Sequence, residues 1–124
     1  MKRNINCLGL FACLALTPLT AHAGDMSKIE RLCQNDCKSE FQFFRQYSRN
    51  GSSLADLSLA IMFLRGQGTE VNINAGKRLL IKAAKSGEPG AQYQLGYLFL
   101  HGIYMDQDLE KSLNWFKRAV KSKV

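Results

Sequence analysis

Residues 108–122 read DLEKSLNWFKRAVKS, and residues 72–86, 36 positions earlier, read NINAGKRLLIKAAKS. The likeness extends outward from these stretches. Residues 53–88 and 89–124 align without a gap, and eight of the 36 positions are identical: Ala55/Ala91, Leu59/Leu95, Phe63/Phe99, Leu64/Leu100, Gly66/Gly102, Ala83/Ala119, Lys85/Lys121 and Ser86/Ser122. Ordinary residue usage gives about two by chance. A period in the thirties marks stacked helix pairs, each too small to bury its own apolar face.

Each unit reads as two helices. In the first, Ser53 and Asp56 form a plausible capping box, and Ala55, Leu59, Met62 and Phe63 recur at helical spacing. Gly66 stops this helix, because glycine tolerates the left-handed backbone a helix end needs. The second helix runs from about Asn74 to Lys85 with Leu79, Leu80 and Ala83 on its apolar face, and 86–90 is a turn. The second unit repeats the plan, with a helix from about Ala91 to His101, Gly102 as stop, and Asp108 capping a helix to about Lys121. Small residues (Ala55, Ala60, Ala83, Gly96, Ala119) let backbones approach, while Leu59, Phe63, Leu95, Phe99 and Trp115 fill the space between layers.

These positions carry a resemblance. The chain is similar to the Sel1-like repeat family, a variant of the tetratricopeptide repeat, at Ala91, Leu95, Gly96, Phe99, Gly102, Asp108, Lys111, Ser112, Trp115, Ala119 and Val120. The first unit matches at Ala55, Leu59, Ala60, Phe63, Gly66, Gly68, Asn72, Gly76, Ala83, Ala84 and Gly87. Tyr104 stands where the family has its second loop glycine, so a distorted loop is expected there; Leu79 replaces the aromatic residue and Ala75 the lysine. The fold expected is all-α: a short α-solenoid of two stacked helix-pair repeats (53–88 and 89–124) with an N-terminal packing helix within 24–52.

The chain opens with Lys2 and Arg3, an apolar run from Cys7 to Leu16, Pro18, and Ala21-His22-Ala23. This three-part form predicts a signal peptide over 1–23, cleaved after Ala23. The apolar run is shorter than the roughly 20 residues a membrane span needs. A lipid-acceptor box ending at Cys13 is disfavoured by the bulky Phe11. The expected mature chain, 24–124, keeps 15 basic and 10 acidic residues, a net charge of 15 − 10 = +5, and no membrane span. The charge is spread along the chain as a solvated surface spreads it. The expected location is the periplasm or the secreted fraction.

Ahead of the repeats, residues 27–49 read as one helix, with a capping box at Ser27–Glu30 and Ile29, Leu32, Cys33, Cys37, Phe41, Phe44 and Tyr47 near one face. Its Phe41–Phe44–Tyr47 end is expected to pack on the first repeat. Cys33 and Cys37, the two cysteines left after cleavage, admit three readings: an intrachain disulfide in an oxidising compartment, buried thiols acting as small apolar groups, or exposed thiols that bridge to a partner or exchange. The spacing is neither the C-x-x-C of oxidoreductases nor a zinc site.

No nucleophile motif, phosphate loop or metal constellation is legible, and no cofactor is expected. His101 is a lone histidine of the mature chain at a helix end, a favourable C-terminal cation rather than a catalyst. Nucleic acid binding wants a denser basic patch than Lys77-Arg78 and Lys117-Arg118 provide. A second stripe remains on the first helix of each unit: Ser58, Ile61, Met62 and Arg65, matched 36 residues on by Gln94, Tyr97, Leu98 and His101. The resemblance implies that first helices line a concave peptide-binding face. Met62 and Leu98 are expected to pack inward, leaving Ile61, Arg65, Tyr97 and His101 as candidate contacts. The expected function is a non-catalytic, exported protein-binding adaptor, with the resemblance implying a cell-envelope assembly. The alternative is a thiol/disulfide-active or cell-wall-ligand-binding protein. Leu109, Leu113 and Phe116 have no following layer in this sequence, which makes self-association through the last helix a further expectation.

Overall fold

A computed structural model describes residues 36–122; these belong to one compact unit, and they hold five helices of 13 residues each. They are α1 (Cys37–Arg49), α2 (Ser53–Arg65), α3 (Ile73–Lys85), α4 (Pro89–His101) and α5 (Leu109–Lys121), each packed on the next in chain order. The described fold is all-α and repetitive. The signal peptide, the Ser27–Glu30 capping box and Cys33 lie outside the described residues.

Local chemistry starts and stops each helix. The side chains of Asp36, Asn72 and Asp108 accept hydrogen bonds from the N–H groups of Ser39, Ala75 and Lys111, capping α1, α3 and α5. Ser52, not Ser53, caps α2 by accepting from Ala55, and Glu88 caps α4 ahead of Pro89, which suits a first-turn position. Gly66 (φ 71°) and Gly102 (φ 64°) close α2 and α4 in the left-handed conformation.

The three caps at 36, 72 and 108 are 36 residues apart. Helix α1 is therefore in register with α3 and α5, and it packs on α2 as α3 packs on α4. This corrects the expectation of a single helix over 27–49. Asp36 has non-helical dihedrals (φ −133°, ψ 78°), because its carboxylate takes the Ser39 N–H and hydroxyl that a continuing helix would leave to the backbone. Cys37 is the first residue of α1. Cys37 is disulfide-bonded, and every other cysteine lies outside the described residues.

The Asp36 carboxyl is held below the ordinary aspartate value, first by the Ser39 hydroxyl and then by the Ser39 N–H; that of Asp108 is lowered by the N–H and then the side chain of Lys111. Because the folded value is the lower one, each cap stabilises the fold above the unfolded pKa and ceases to do so as pH falls through the lowered value. A carboxyl titration followed by NMR is expected to place Asp108 below an aspartate in an unfolded peptide, and equality with that reference would refute the cap as drawn.

The core centres on Phe41, Leu59 and Met62, with Phe44, Phe63 and Leu79 packed against it; Phe41 meets Phe63 edge-on at 5.2 Å between ring centroids. Tyr47 departs from expectation. It is exposed and leans on Phe43 at 4.4 Å, so Phe41 and Phe44, not Tyr47, are the aromatic residues of α1 packed in the core. Trp115 departs too. It is half-buried with the Arg118 guanidinium 4.8 Å over its ring, whereas Phe116 is the residue that fits against the α-carbon of Gly96. Trp115→Ala is therefore expected to cost about 1 kcal/mol, well under the roughly 3–5 of a fully buried tryptophan. Thermal unfolding measures it, and a loss above about 3 kcal/mol would show the indole to be core.

Tyr104 has φ 61° and its repeat partner Gly68 φ 70°. The loops also share their backbone bonds. Gln67 N–H donates to Met62 and Ile103 N–H to Leu98; Asn72 N–H donates to Phe63 and Asp108 N–H to Phe99. The second loop is not distorted: Tyr104 adopts the conformation of the glycine it replaces, held by the same turn.

Candidate binding surface

The first helices α2 and α4 lie between second-type helices, with α1 and α3 flanking α2, and α3 and α5 flanking α4. That sandwiching decides which side chains are free. Ala55 through Met62 are all buried in α2, and Ala91, Gln92, Gln94, Leu95, Gly96 and Leu98 in α4. Of the eight residues in the stripe, Ser58, Met62, Gln94 and Leu98 are buried, as is Ile61 at 8% exposed. Ile61 is thus corrected from a contact residue to a core residue, because helix packing on both sides of α2 covers its middle turns. Met62 and Leu98 pack inward as expected.

Three of the stripe reach the surface. Arg65, half-buried, sits in the last turn of α2; His101, exposed, occupies the equivalent place in α4; Tyr97, half-buried, is one turn before His101. The Tyr97 and His101 rings stand 4.4 Å apart at 52°, forming one aromatic platform with a polar edge. No ion pair engages Arg65 among the described residues, so its guanidinium is available. The structure joins Tyr97 to His101 and gives neither a direct bond to Arg65. An arginine and an adjacent Tyr–His pair suit peptide recognition: the planar cation takes carboxylates or carbonyls, and the rings bury side chains at low entropic cost.

The layers beneath this surface are pinned by buried polar groups that sequence reasoning missed. Asp56 is 1% exposed, accepts a hydrogen bond from the Ser48 hydroxyl of α1, and pairs with Lys82 Nζ of α3 at 2.9 Å. It does not act in a capping box. Its repeat partner Gln92 donates from Nε2 to the Ala84 carbonyl at 3.1 Å and accepts from the Ser122 hydroxyl at 3.0 Å. Both residues reach back eight positions to the end of the preceding second-type helix. A polar residue four places into each first helix was the available signal.

No group of three or more His, Cys, Asp or Glu able to hold a metal occurs among the described residues. No helix among them is long and apolar enough to cross a membrane.

The model of the Sel1 repeat matches residues 53–88 and 89–123. The chain belongs to the Sel1 repeat family. Sel1 repeats mediate protein–protein interaction, and proteins built from them are generally non-catalytic scaffolds. The chain is 35% identical over 78 residues to a sel1-like repeat-containing protein of Acanthamoeba polyphaga mimivirus, and 30% identical over 86 residues to the chitin synthase regulator SKT5 of Saccharomyces cerevisiae. The matched regions cover 63% and 68% of this chain but only 14% and 12% of those proteins. Among solved structures, a Sel1 repeat protein from Oxalobacter formigenes superposes with a TM-score of 0.68 at 26% identity, over 70% of this chain and 36% of the other. A protective antigen of uropathogenic Escherichia coli, which displays an SLR fold, gives 0.62 at 26% identity over 69% and 18%.

Proposed function

We propose that this Sel1 repeat protein is an exported adaptor that holds a segment of another protein on the surface formed by Arg65, Tyr97 and His101. The observation that carries the proposal is selective exposure. Of the eight residues in the candidate stripe, these alone break the surface, toward equivalent ends of α2 and α4. A regulator and a protective antigen among the similar proteins accord with a binding role. Export rests on the leader over 1–23, and the envelope or secreted location follows from it.

A photo-crosslinking residue placed at 97 is expected to give one discrete adduct in the producing cell, and one placed at the exposed position 85 none. Arg65→Ala is expected to weaken that adduct about tenfold, as the loss of roughly 1.4 kcal/mol does. Equal labelling from both positions would remove the surface from consideration.

Two further outcomes test export. Mass spectrometry of the processed protein is expected to show Gly24 as the first residue; a lipid on Cys13 or an intact leader would overturn the location. Thiol titration of that protein is expected to find no free thiol before reduction and two after it, consistent with a Cys33–Cys37 bridge. Two reactive thiols in the native protein would favour the thiol-exchange alternative.

A further inference from the structure

We propose that the chain forms a two-fold dimer in which α5 packs antiparallel against α5 of a second copy. Leu109, Leu113, Phe116 and Val120 are spaced four, three and four residues apart, the spacing of a helix–helix seam. At the inner layers the matching positions are the layer interface. Phe41 is buried, and Leu80 and Ala84 are each 1% exposed. On α5 the same stripe lies open, with Leu109 at 61%, Leu113 at 53% and Val120 at 68% exposed. Phe116, Ala119 and Val120 continue onto Tyr93 of α4 as one apolar groove. Apolar exposure this concentrated on one helix marks an interaction surface.

Charge selects the occupant. At the start of α5 Asp108 is already paired with Lys111, which leaves Glu110 as the acid there without an ion pair among the described residues, and Lys117, Arg118 and Lys121 make the other end basic. An antiparallel copy sets Glu110 of each helix against the basic end of the other, Leu109 facing Val120 and Leu113 facing Phe116 across the axis. Glu110 and Lys117, both exposed beside the seam, then meet twice, once at each end. A parallel pair would stack like charges. Helix α1 of another copy is a poorer partner for the basic end, since it carries Lys38, Arg45 and Arg49 against Glu40 alone. Thirteen residues make a seam about 20 Å long, which buries on the order of 1,000 Å² in total, the low end for specific contacts. The dimer is therefore expected to be reversible, with dissociation in the micromolar range.

Sedimentation equilibrium of the whole processed chain tests this, with a non-reducing gel excluding a disulfide-linked pair. Wild type is expected to pass from monomer to dimer across micromolar concentrations. Leu113→Ser and Glu110→Lys are each expected to weaken the dimer about tenfold while circular dichroism is retained, because both side chains are exposed. The double variant Glu110→Lys/Lys117→Glu restores opposite charges across the axis and is expected to recover most of the loss; an unrelated partner helix or another surface would show no such recovery. A wild-type protein monomeric to hundreds of micromolar, a dimer indifferent to Leu113→Ser, or a double variant no better than the single one would each overturn the proposal.

Discussion

Gly68→Ala is expected to destabilise the protein by about 3 kcal/mol or more, whereas Tyr104→Gly, at the matching place in the next repeat, is expected to stay within about 1 kcal/mol of wild type. Two costs add at Gly68. Its φ of 70° imposes about 1–2 kcal/mol on a residue with a Cβ. That Cβ would also lie 1.9 Å from the Cys37 carbonyl oxygen and 2.5 Å from its carbon, backbone atoms that cannot rotate away. Overpacking of this kind costs about 1–3 kcal/mol, and its relief requires the first turn of α1 to move off the loop. At Tyr104 the left-handed strain is already present in the native protein. Glycine would relieve it but enlarge the unfolded ensemble, and the two effects nearly offset. Urea unfolding of both variants measures the contrast. A Gly68→Ala variant as mild as Tyr104→Gly would mean that α1 does not sit on that loop.

Lys82→Met is expected to cost about 2–3 kcal/mol, and adding Asp56→Asn to it is expected to return most of the loss. The Asp56 carboxylate is almost wholly buried, and without Lys82 its charge keeps only the Ser48 hydroxyl. Stranding a buried charge costs about 3–5 kcal/mol when both partners are buried. Here the lysine side chain is 56% exposed, so water screens the pair and the lower figure applies. The neutral amide removes the stranded charge and still meets Ser48. The protein uses that solution itself at Gln92, whose amide joins Ala84 to Ser122 with no ion pair. A double-mutant cycle gives the coupling directly. Strict additivity of the two losses would show that Asp56 and Lys82 act independently.

Two layer-to-layer contacts, Asp56 with Ser48 and Gln92 with Ala84, depend on such groups, and the surface at Arg65, Tyr97 and His101 depends on the layers. The last turn of α2 is presented by α1 on one side and α3 on the other, and that of α4 by α3 and α5. A loss of register at Asp56 or Gly68 would therefore displace Arg65 without touching it. The adaptor role is best tested with substitutions at the surface itself, where exposed or half-exposed positions tolerate truncation.

What the sequence determined by itself was local and periodic. The 36-residue repeat, the helices flanking Gly66 and Gly102, and the cap at Asp108 follow from side-chain chemistry within four residues of each site and from helical spacing. Two periods back, Asp36 carries the same signal for α1, obscured in the sequence by the helical spacing of Ile29, Leu32, Cys33 and Cys37 across it. Tertiary structure decided everything that turns on a neighbour in the next layer. Ile61 and Tyr97 are equivalent in the repeat, yet one is core and the other half-exposed. Trp115 and Phe116 are adjacent, yet only Phe116 fits against Gly96. Asp56 resembles a capping acid in sequence and becomes a buried link between three helices. Helical periodicity says which residues share a face; whether that face meets water is set by a helix tens of residues away, and no local pattern encodes its position.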